Sequence, residues 1–134
     1  MKTYKILVVD DDTALLASIR IRLASEGYEV VCASDGYQAV ATAVASRPDL
    51  LILDINMPAG DGFSVQERVW KMVQLRRVPV IYITGDRSQE VADMAHRIGA
   101  RALLAKPFDT AELLRVVRDT LEPDLSHEVA IAAA

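Results

Sequence analysis

Four apolar stretches of this 134-residue chain each end in a side chain that can do chemistry. One of them, residues 50–53, leads into Asp54, and Pro and Gly residues follow shortly after it. A buried strand cannot continue through such residues, so the Asp54 carboxylate is expected at the strand tip. The other three stretches end in the run Asp10-Asp11-Asp12, in Thr84 and in Lys106. Carboxylates, a hydroxyl and an ammonium group together suit metal binding and phosphoryl chemistry.

These residues can meet only if the strands that carry them run parallel. Amphipathic helical patterns separate the strand-like stretches, and this strict alternation predicts a parallel sheet. All of its strands then end at one edge, and open sheets of this kind bind their ligands outside that edge. We therefore expect the acids, Thr84 and Lys106 to share one site.

The full pattern predicts five strands and five helices. The predicted strands cover residues 5–9, 29–33, 50–54, 78–83 and 102–105. The first predicted helix ends at Gly27, and the others cover residues 36–47, 63–77, 88–98 and 109–121. With right-handed crossovers this pattern predicts an α/β fold, a flavodoxin-like (βα)5 three-layer sandwich with sheet order 2-1-3-4-5. We assign residues 1–122 to this domain and residues 123–134 to a C-terminal tail that is disordered or a linker stub.

Composition limits the classes of function. A chain of 134 residues that is 51% apolar can form one domain with helices on both faces of a sheet. Its net charge of -4 argues against direct binding of nucleic acid, which needs clustered basic residues. The lone cysteine, Cys32, fits a reducing cytosol, and the N-terminus leads straight into a strand too short for a membrane segment. We expect a cytoplasmic protein that does not enter a membrane.

The acidic cluster needs a compensating positive charge. Two carboxylates about 4 Å apart repel by about 4 kcal/mol at an effective dielectric constant of about 20. Oxygen ligands without His or Cys favour Mg²⁺, so a divalent ion is expected among the acids. Lys106 and Thr84 could then hold the oxygens of a transferring phosphoryl group. Asp54, central in the sheet, is best placed to attack phosphorus and form an aspartyl phosphate.

The chain closely resembles the receiver domain of bacterial two-component response regulators over about residues 5–121. The resemblance is carried by four motifs in the family's order: Asp10-Asp11, Asp54 with Ile55-Asn56-Met57-Pro58, Thr84-Gly85, and Lys106-Pro107-Phe108. It implies that Asp54 accepts a phosphoryl group from a histidine kinase or a histidine phosphotransfer protein. It also implies a signalling domain that promotes only its own phosphotransfer and autodephosphorylation, and not an enzyme.

The resemblance further assigns roles within the site. The implied Mg²⁺ ligands are the carboxylates of Asp11 and Asp54, the backbone carbonyl of Asn56 and, mostly through water, Asp10. The phosphoryl oxygens would be bound by Thr84 and Lys106, and the Lys106-Pro107 peptide bond would be cis.

One position departs from the family pattern. In most relatives an aromatic residue three positions before the lysine turns in behind the threonine when the domain is phosphorylated. Here that residue is Leu103, so movement of the loop after Thr84 is the expected switch. Output would pass to a downstream protein target, and a phosphorylation-dependent homodimer is a further expectation. Asn56 and Asp86 hold the positions that tune phosphate lifetime, and their polarity indicates that water is not excluded.

Three other functions stay open at this point. An aspartyl-phosphate phosphatase also has acids after its first strand, although Ala14 stands where such enzymes carry Thr or Val. A flavin-binding module shares the strand order, but its phosphate loop is built from Ser, Thr and Gly instead of acids. The third is a receiver that is never phosphorylated and acts only as a docking surface. A single-domain regulator, a phosphotransfer intermediate and a fragment of a longer regulator are all compatible with the sequence.

Overall fold

The computed structural model describes residues 2–57 and 60–122, in which strands and helices alternate as predicted. The strands are β1 (Lys5–Val9), β2 (Glu29–Ala33), β3 (Leu50–Asp54), β4 (Val80–Thr84) and β5 (Ala102–Ala105). The helices are α1 (Thr13–Ser25), α2 (Gly36–Ser46), α3 (Gly62–Trp70), α4 (Gln89–Arg97) and α5 (Thr110–Leu121), and a 3₁₀ helix, Val73–Leu75, follows α3.

The strands form one parallel sheet in the order β2-β1-β3-β4-β5. Every residue of β3 and of β4 is buried. This burial explains why both strands read as continuous apolar runs, because a parallel strand is covered on both faces. The predicted flavodoxin-like (βα)5 sandwich with order 2-1-3-4-5 is confirmed.

Two apolar cores lie on opposite faces of the sheet. Ile52 of β3 packs in the core that contains Leu16 of α1 and Leu113 of α5. Leu53, the next residue of β3, packs in the core formed with α2, α3 and α4, where Val65 lies. Successive residues of a strand point to opposite faces, so both cores hold β3 in place. The strand is therefore a rigid support for Asp54 at its end.

Polar caps fix the points at which the chain returns from the sheet edge into a helix. The Asp12 carboxylate accepts a hydrogen bond from the backbone N–H of Leu15 at 3.1 Å, which caps α1. The Asp61 carboxylate likewise caps α3 by accepting a hydrogen bond from the Ser64 N–H at 2.9 Å. After α1 the chain reverses at Gly27, whose φ of 93° favours glycine.

The predicted third helix is too long. The structure ends α3 at Trp70, and Arg76 and Arg77 lie beyond the 3₁₀ turn in non-helical backbone, so the predicted end of the helix at residue 77 is wrong. Val73, an apolar residue within the predicted helix, is 78% exposed. Apolar residues three and four apart fit a long helix and a shorter helix with a 3₁₀ turn equally well. Here the Trp70 indole N–H donates to the carbonyl of Val78 at 2.9 Å and holds the chain where it folds back.

No helix within residues 2–57 and 60–122 has the length and apolar character needed to cross a membrane. The predicted tail, residues 123–134, lies outside the described residues. The division of the chain at residue 122 therefore stays a prediction, although α5 ends at Leu121.

Candidate functional site

Parallel pairing brings the chemically active residues to one edge of the sheet. Val9 at the end of β1 pairs with Leu53, the residue before Asp54. Thr84 is the last residue of β4, and Lys106 directly follows β5. These strands are neighbours and run in the same direction, so their terminal side chains converge.

Three carboxylates form the acidic part of this edge. Oxygen atoms of Asp10, Asp11 and Asp54 all lie within 4.8 Å of one another. Asp10 is 0% exposed and Asp54 is 4% exposed, whereas Asp11 faces solvent. Two buried acids at such a distance destabilise the fold unless a cation compensates them.

Lys106 supplies a positive charge to both buried acids. Its Nζ lies 2.8 Å from Asp10 Oδ2 and 3.5 Å from Asp54 Oδ2. Within the described residues Asp10 Oδ2 is a buried oxygen that receives no aligned hydrogen bond, so its contact with Lys106 is an ion pair. One ammonium group shared by two buried carboxylates leaves a net negative charge at the site.

The backbone orients the two buried carboxylates. Asp10 Oδ1 accepts a hydrogen bond from the N–H of Asp12 at 2.9 Å, and Asp54 Oδ1 accepts a longer one from the N–H of Asn56 at 3.4 Å. Each acid is thus held through one oxygen by the loop that follows it. The Oδ2 atoms of both acids are directed toward Lys106.

The electrostatic balance changes the proton affinity of the site. Burial, and then repulsion by Asp10, raises the pKa of Asp54 to about 6, although Lys106 and the Asn56 N–H act in the opposite direction. Burial acts to lower the pKa of the Lys106 ammonium, but the carboxylates of Asp10 and Asp54 outweigh it and raise that pKa above its usual value. The positive charge of Lys106 therefore does not fully offset the negative charge of ionised Asp54, while Lys106 itself stays charged.

Thr84 is buried, and its hydroxyl is turned toward the loop that follows β4. The Thr84 Oγ1 accepts a hydrogen bond from the N–H of Asp86 at 2.9 Å, and Asp86 in turn accepts one from the N–H of Ser88 at 2.8 Å. Accepting this bond leaves the hydroxyl proton free to donate to another group. A Cβ at Gly85 would meet nothing within 4 Å, so the loop has room beside Thr84.

The remaining predicted residues also lie around this edge. The Lys106-Pro107 peptide bond is cis. Asn56 is exposed in the loop after β3, next to the acids. Leu103 is half-buried on β5, where it pairs with Tyr82 of β4 and packs against the core on the α2, α3 and α4 side. Leu103 thus lies within β5 and not at its tip, on the same face of the sheet as Tyr82.

The donor set at this edge fits Mg²⁺. All of its candidate ligand atoms are carboxylate or carbonyl oxygens, which Mg²⁺ prefers to nitrogen or sulfur ligands. The exposed Asp11 carboxylate is open to a further cation, whereas Asp10 Oδ2 is already paired with Lys106. A divalent ion would offset the net negative charge that Lys106 leaves.

The sequence did not predict one buried polar pair, Tyr82 and Gln66. Tyr82 of β4 is fully buried, and its hydroxyl donates to the side-chain oxygen of Gln66 on α3. The same hydroxyl lies 3.2 Å from the carbonyl oxygen of Gly62, the first residue of α3. A tyrosine within an otherwise aliphatic strand was the signal in the sequence, because a buried hydroxyl needs a partner.

Comparison with known proteins gives one consistent family. Residues 6–118 match the family model described as the response regulator receiver domain. The chain is 37% identical to the DNA-binding dual master transcriptional regulator RpaA of Synechocystis sp., over 87% of this chain and 48% of that protein. It is 40% identical to the transcriptional regulatory protein PrrA of Mycobacterium tuberculosis, over 87% of this chain and 49% of that protein. The chain spans about half the length of these relatives.

Solved structures agree with the sequence relatives. The Vibrio cholerae chemotaxis protein CheY4 has a TM-score of 0.84 and 33% identity, covering 90% of this chain and 100% of that one. The receiver domain of the sensor histidine kinase PA1611 from Pseudomonas aeruginosa has a TM-score of 0.80 and 33% identity, covering 90% and 98%. That structure holds a magnesium ion in its active-site cleft. With the family match, the sheet order and the convergent strand tips in agreement, this chain belongs to the response regulator receiver domains, a family of two-component signalling domains.

Proposed function

We propose that this receiver domain accepts a phosphoryl group on Asp54 from a histidine kinase or a histidine phosphotransfer protein. The observation that carries the proposal is the position of the Lys106 ammonium, 3.5 Å from Asp54 and 2.8 Å from Asp10. A carboxylate at the edge of a parallel sheet, flanked by a cation and two further acids, suits phosphoryl acceptance.

The transfer can be written for the atoms at this site. A carboxylate oxygen of Asp54 attacks phosphorus, and the bond between phosphorus and the donor's imidazole nitrogen breaks. The imidazole leaves with the electron pair and takes up a proton, and Asp54 becomes an acyl phosphate. The Lys106 ammonium and the free proton of the Thr84 hydroxyl would donate to the phosphoryl oxygens.

Mg²⁺ is the cofactor that we propose for this step. Asp11 and Asp54 would hold it through carboxylate oxygens, Asn56 through its backbone carbonyl and Asp10 mostly through water. When bound, the ion neutralises charge on the carboxylates and on the incoming phosphoryl group. The buried, under-compensated acids support this assignment.

We propose that the domain promotes only its own phosphorylation and dephosphorylation. Asn56 and Asp86 are both exposed beside the phosphoacceptor, so water can reach an acyl phosphate there. Neither residue forms an apolar cover over Asp54. Autodephosphorylation without an added phosphatase follows from this exposure.

The proposed output is a change of a protein-binding surface. The Thr84 hydroxyl would turn toward a phosphoryl oxygen and move the loop after β4 through its bond from the Asp86 N–H, while Leu103 on β5 would stay beside Tyr82. A downstream protein target would read this change, and a phosphorylation-dependent homodimer is part of the same proposal. Residues 1–122 would form the receiver and residues 123–134 a tail or linker stub. Action in the cytoplasm, without nucleic acid or a membrane as a direct partner, stays a prediction.

The test is the intact mass of the protein after incubation with acetyl phosphate and Mg²⁺. We expect wild type to gain one phosphoryl group and Asp54→Asn to gain none. Asp93→Asn is the matched control, because Asp93 is exposed on α4 and the amide can keep its hydrogen bond to Gln89. Equal phosphorylation of the Asp54 variant would contradict the proposed acceptor, and turnover of a generic phosphate ester would favour the phosphatase.

A further inference from the structure

Tyr82 is the largest of the fully buried side chains in the described part of the chain, and it lies two residues before Thr84 on β4. Its ring meets the ring of Phe63 edge to face, with centroids 5.1 Å apart. Its hydroxyl faces two acceptors on α3, the carbonyl of Gly62 at 3.2 Å and the side-chain oxygen of Gln66. Tyr82 therefore joins β4 to the first turns of α3.

Gln66 fixes the direction of the Tyr82 hydroxyl. Gln66 is 3% exposed, and its Nε2 donates to the carbonyl of Ile98 at the end of α4 at 2.8 Å. This bond turns the Gln66 oxygen toward Tyr82 and makes it the acceptor of the hydroxyl proton. Buried polar groups that lose their partners are costly, so the pair resists rotation of the tyrosine ring.

The Tyr82 ring holds Gly62 against the end of β3. A Cβ at Gly62 would lie 2.6 Å from the carbonyl oxygen of Asp54 and 3.0 Å from the Tyr82 ring. The Gly62 N–H donates to the carbonyl of Ile55 at 2.9 Å. Gly62 thus packs between the end of β3, which carries Asp54, and the ring of Tyr82.

Ile55 is the residue through which this contact reaches the site. Its carbonyl accepts the Gly62 bond, and its N–H donates to the carbonyl of Ile83 at 3.1 Å. Both backbone polar groups of Ile55 are therefore held before the chain reaches Asn56. The peptide unit from the Ile55 carbonyl to the Asn56 Cα is planar, so this restraint fixes the Asn56 N–H, which donates to Asp54 Oδ1, and the Asn56 Cα, from which the Asn56 carbonyl extends.

We propose that the Tyr82–Gln66 pair positions the Asn56 carbonyl for Mg²⁺ by holding Gly62 against Ile55. This inference rests on the proposed function, which assigns that carbonyl to the metal. Tyr82 touches neither the metal nor the phosphoryl group, so it is a positioning residue that acts through α3. Groups hydrogen-bonded to metal ligands change metal affinity by about 10- to 100-fold when altered, and we expect the lower end of that range for Tyr82, which acts through Gly62 and Ile55.

Isothermal titration calorimetry with MgCl₂ tests the inference on the complete chain. We expect Tyr82→Phe, which removes only the hydroxyl, to weaken Mg²⁺ binding about tenfold. Tyr28→Phe is the matched control, because it deletes the same atom from a half-buried tyrosine with no hydrogen bond to the site. Gln66→Met removes the acceptor at similar volume and should weaken binding as much as Tyr82→Phe. Far-ultraviolet circular dichroism at the titration temperature confirms that each variant is folded.

Amide hydrogen exchange supplies a readout apart from metal binding. In metal-free Tyr82→Phe we expect faster exchange at Gly62, whose N–H bonds to Ile55, with unchanged exchange in β1. Wild-type Mg²⁺ affinity and wild-type exchange in the folded Tyr82 variant would overturn the inference and leave the proposed function intact. Equal weakening by the Tyr28 variant would overturn it as well. Failure of wild type to bind Mg²⁺ would instead contradict the proposed function and the inference together.

Discussion

Neutralising Asp54 should stabilise the metal-free protein. The Asp54 carboxylate is 4% exposed, lies beside buried Asp10 and shares the single Lys106 ammonium with it. Folding therefore transfers an ionised acid into a site that disfavours its charge. Asp54→Asn keeps the shape of the side chain and its acceptor for the Asn56 N–H, and it removes the charge.

The size of the effect follows from the pKa of Asp54, which rises from 3.8 to about 6 on folding. A raised carboxylate pKa means that the folded state binds the proton more tightly, so stability falls as pH rises from about 3.8 to 6. Above that window the whole cost is present, and it amounts to about 3 kcal/mol. Below it the cost is absent.

Urea unfolding with EDTA, at pH 8 and again at pH 4, measures this cost. We expect Asp54→Asn to be more stable than wild type by about 3 kcal/mol at pH 8 and by much less at pH 4. Asp93→Asn, at an exposed position of α4, should match wild type at both values. Saturating Mg²⁺ should remove most of the advantage, because the ion compensates the wild-type charge. If the Asp54→Asn variant is no more stable than wild type at pH 8, this electrostatic reasoning is refuted.

Two further substitutions test the packing and charge of the same edge. Lys106→Met should lower the free energy of unfolding of the metal-free protein by about 3 kcal/mol, because it leaves the fully buried Asp10 without its cation. An unchanged urea midpoint would show that the ion pair does not contribute to stability. Gly62→Ala should cost about 1–3 kcal/mol, since the added Cβ meets the Asp54 carbonyl at 2.6 Å. Gly85→Ala is the control, because a Cβ there meets nothing within 4 Å, and its stability should lie within about 0.5 kcal/mol of wild type. Equal losses of stability in both alanine variants would contradict the role of the contact between Gly62 and Asp54.

Much of the fold could be predicted because the local signals agree with one another. The predicted bounds of β2 and β5 match the structure, and Gly27 ends the first helical stretch as expected. The error in α3 arose because helical spacing continues past Trp70, where a tertiary hydrogen bond to Val78 folds the chain back. Such a bond joins two segments across the fold, and no local pattern encodes it.

The convergence at the sheet edge could also be predicted, since it follows from strand order alone. Strand order does not say how the charges divide within the site. The structure shows that Lys106 lies nearer to Asp10 than to Asp54, at 2.8 Å against 3.5 Å. It also shows the bond from Tyr82 to Gln66, which depends on how α3 packs on β4. Side-chain pairing of this kind depends on three-dimensional packing, and the spacing of apolar residues in the sequence does not reveal it.

The most direct measurement of the central claim is the location of the phosphoryl group. After acetyl phosphate and Mg²⁺, reduction with borohydride converts an aspartyl phosphate to homoserine, and peptide mass spectrometry identifies the altered residue. We predict the change at Asp54 in wild type, its loss when EDTA is present, and no change in Asp54→Asn. Modification at Asp10 or Asp11 with an unaltered Asp54, or the same yield in EDTA, would contradict the account.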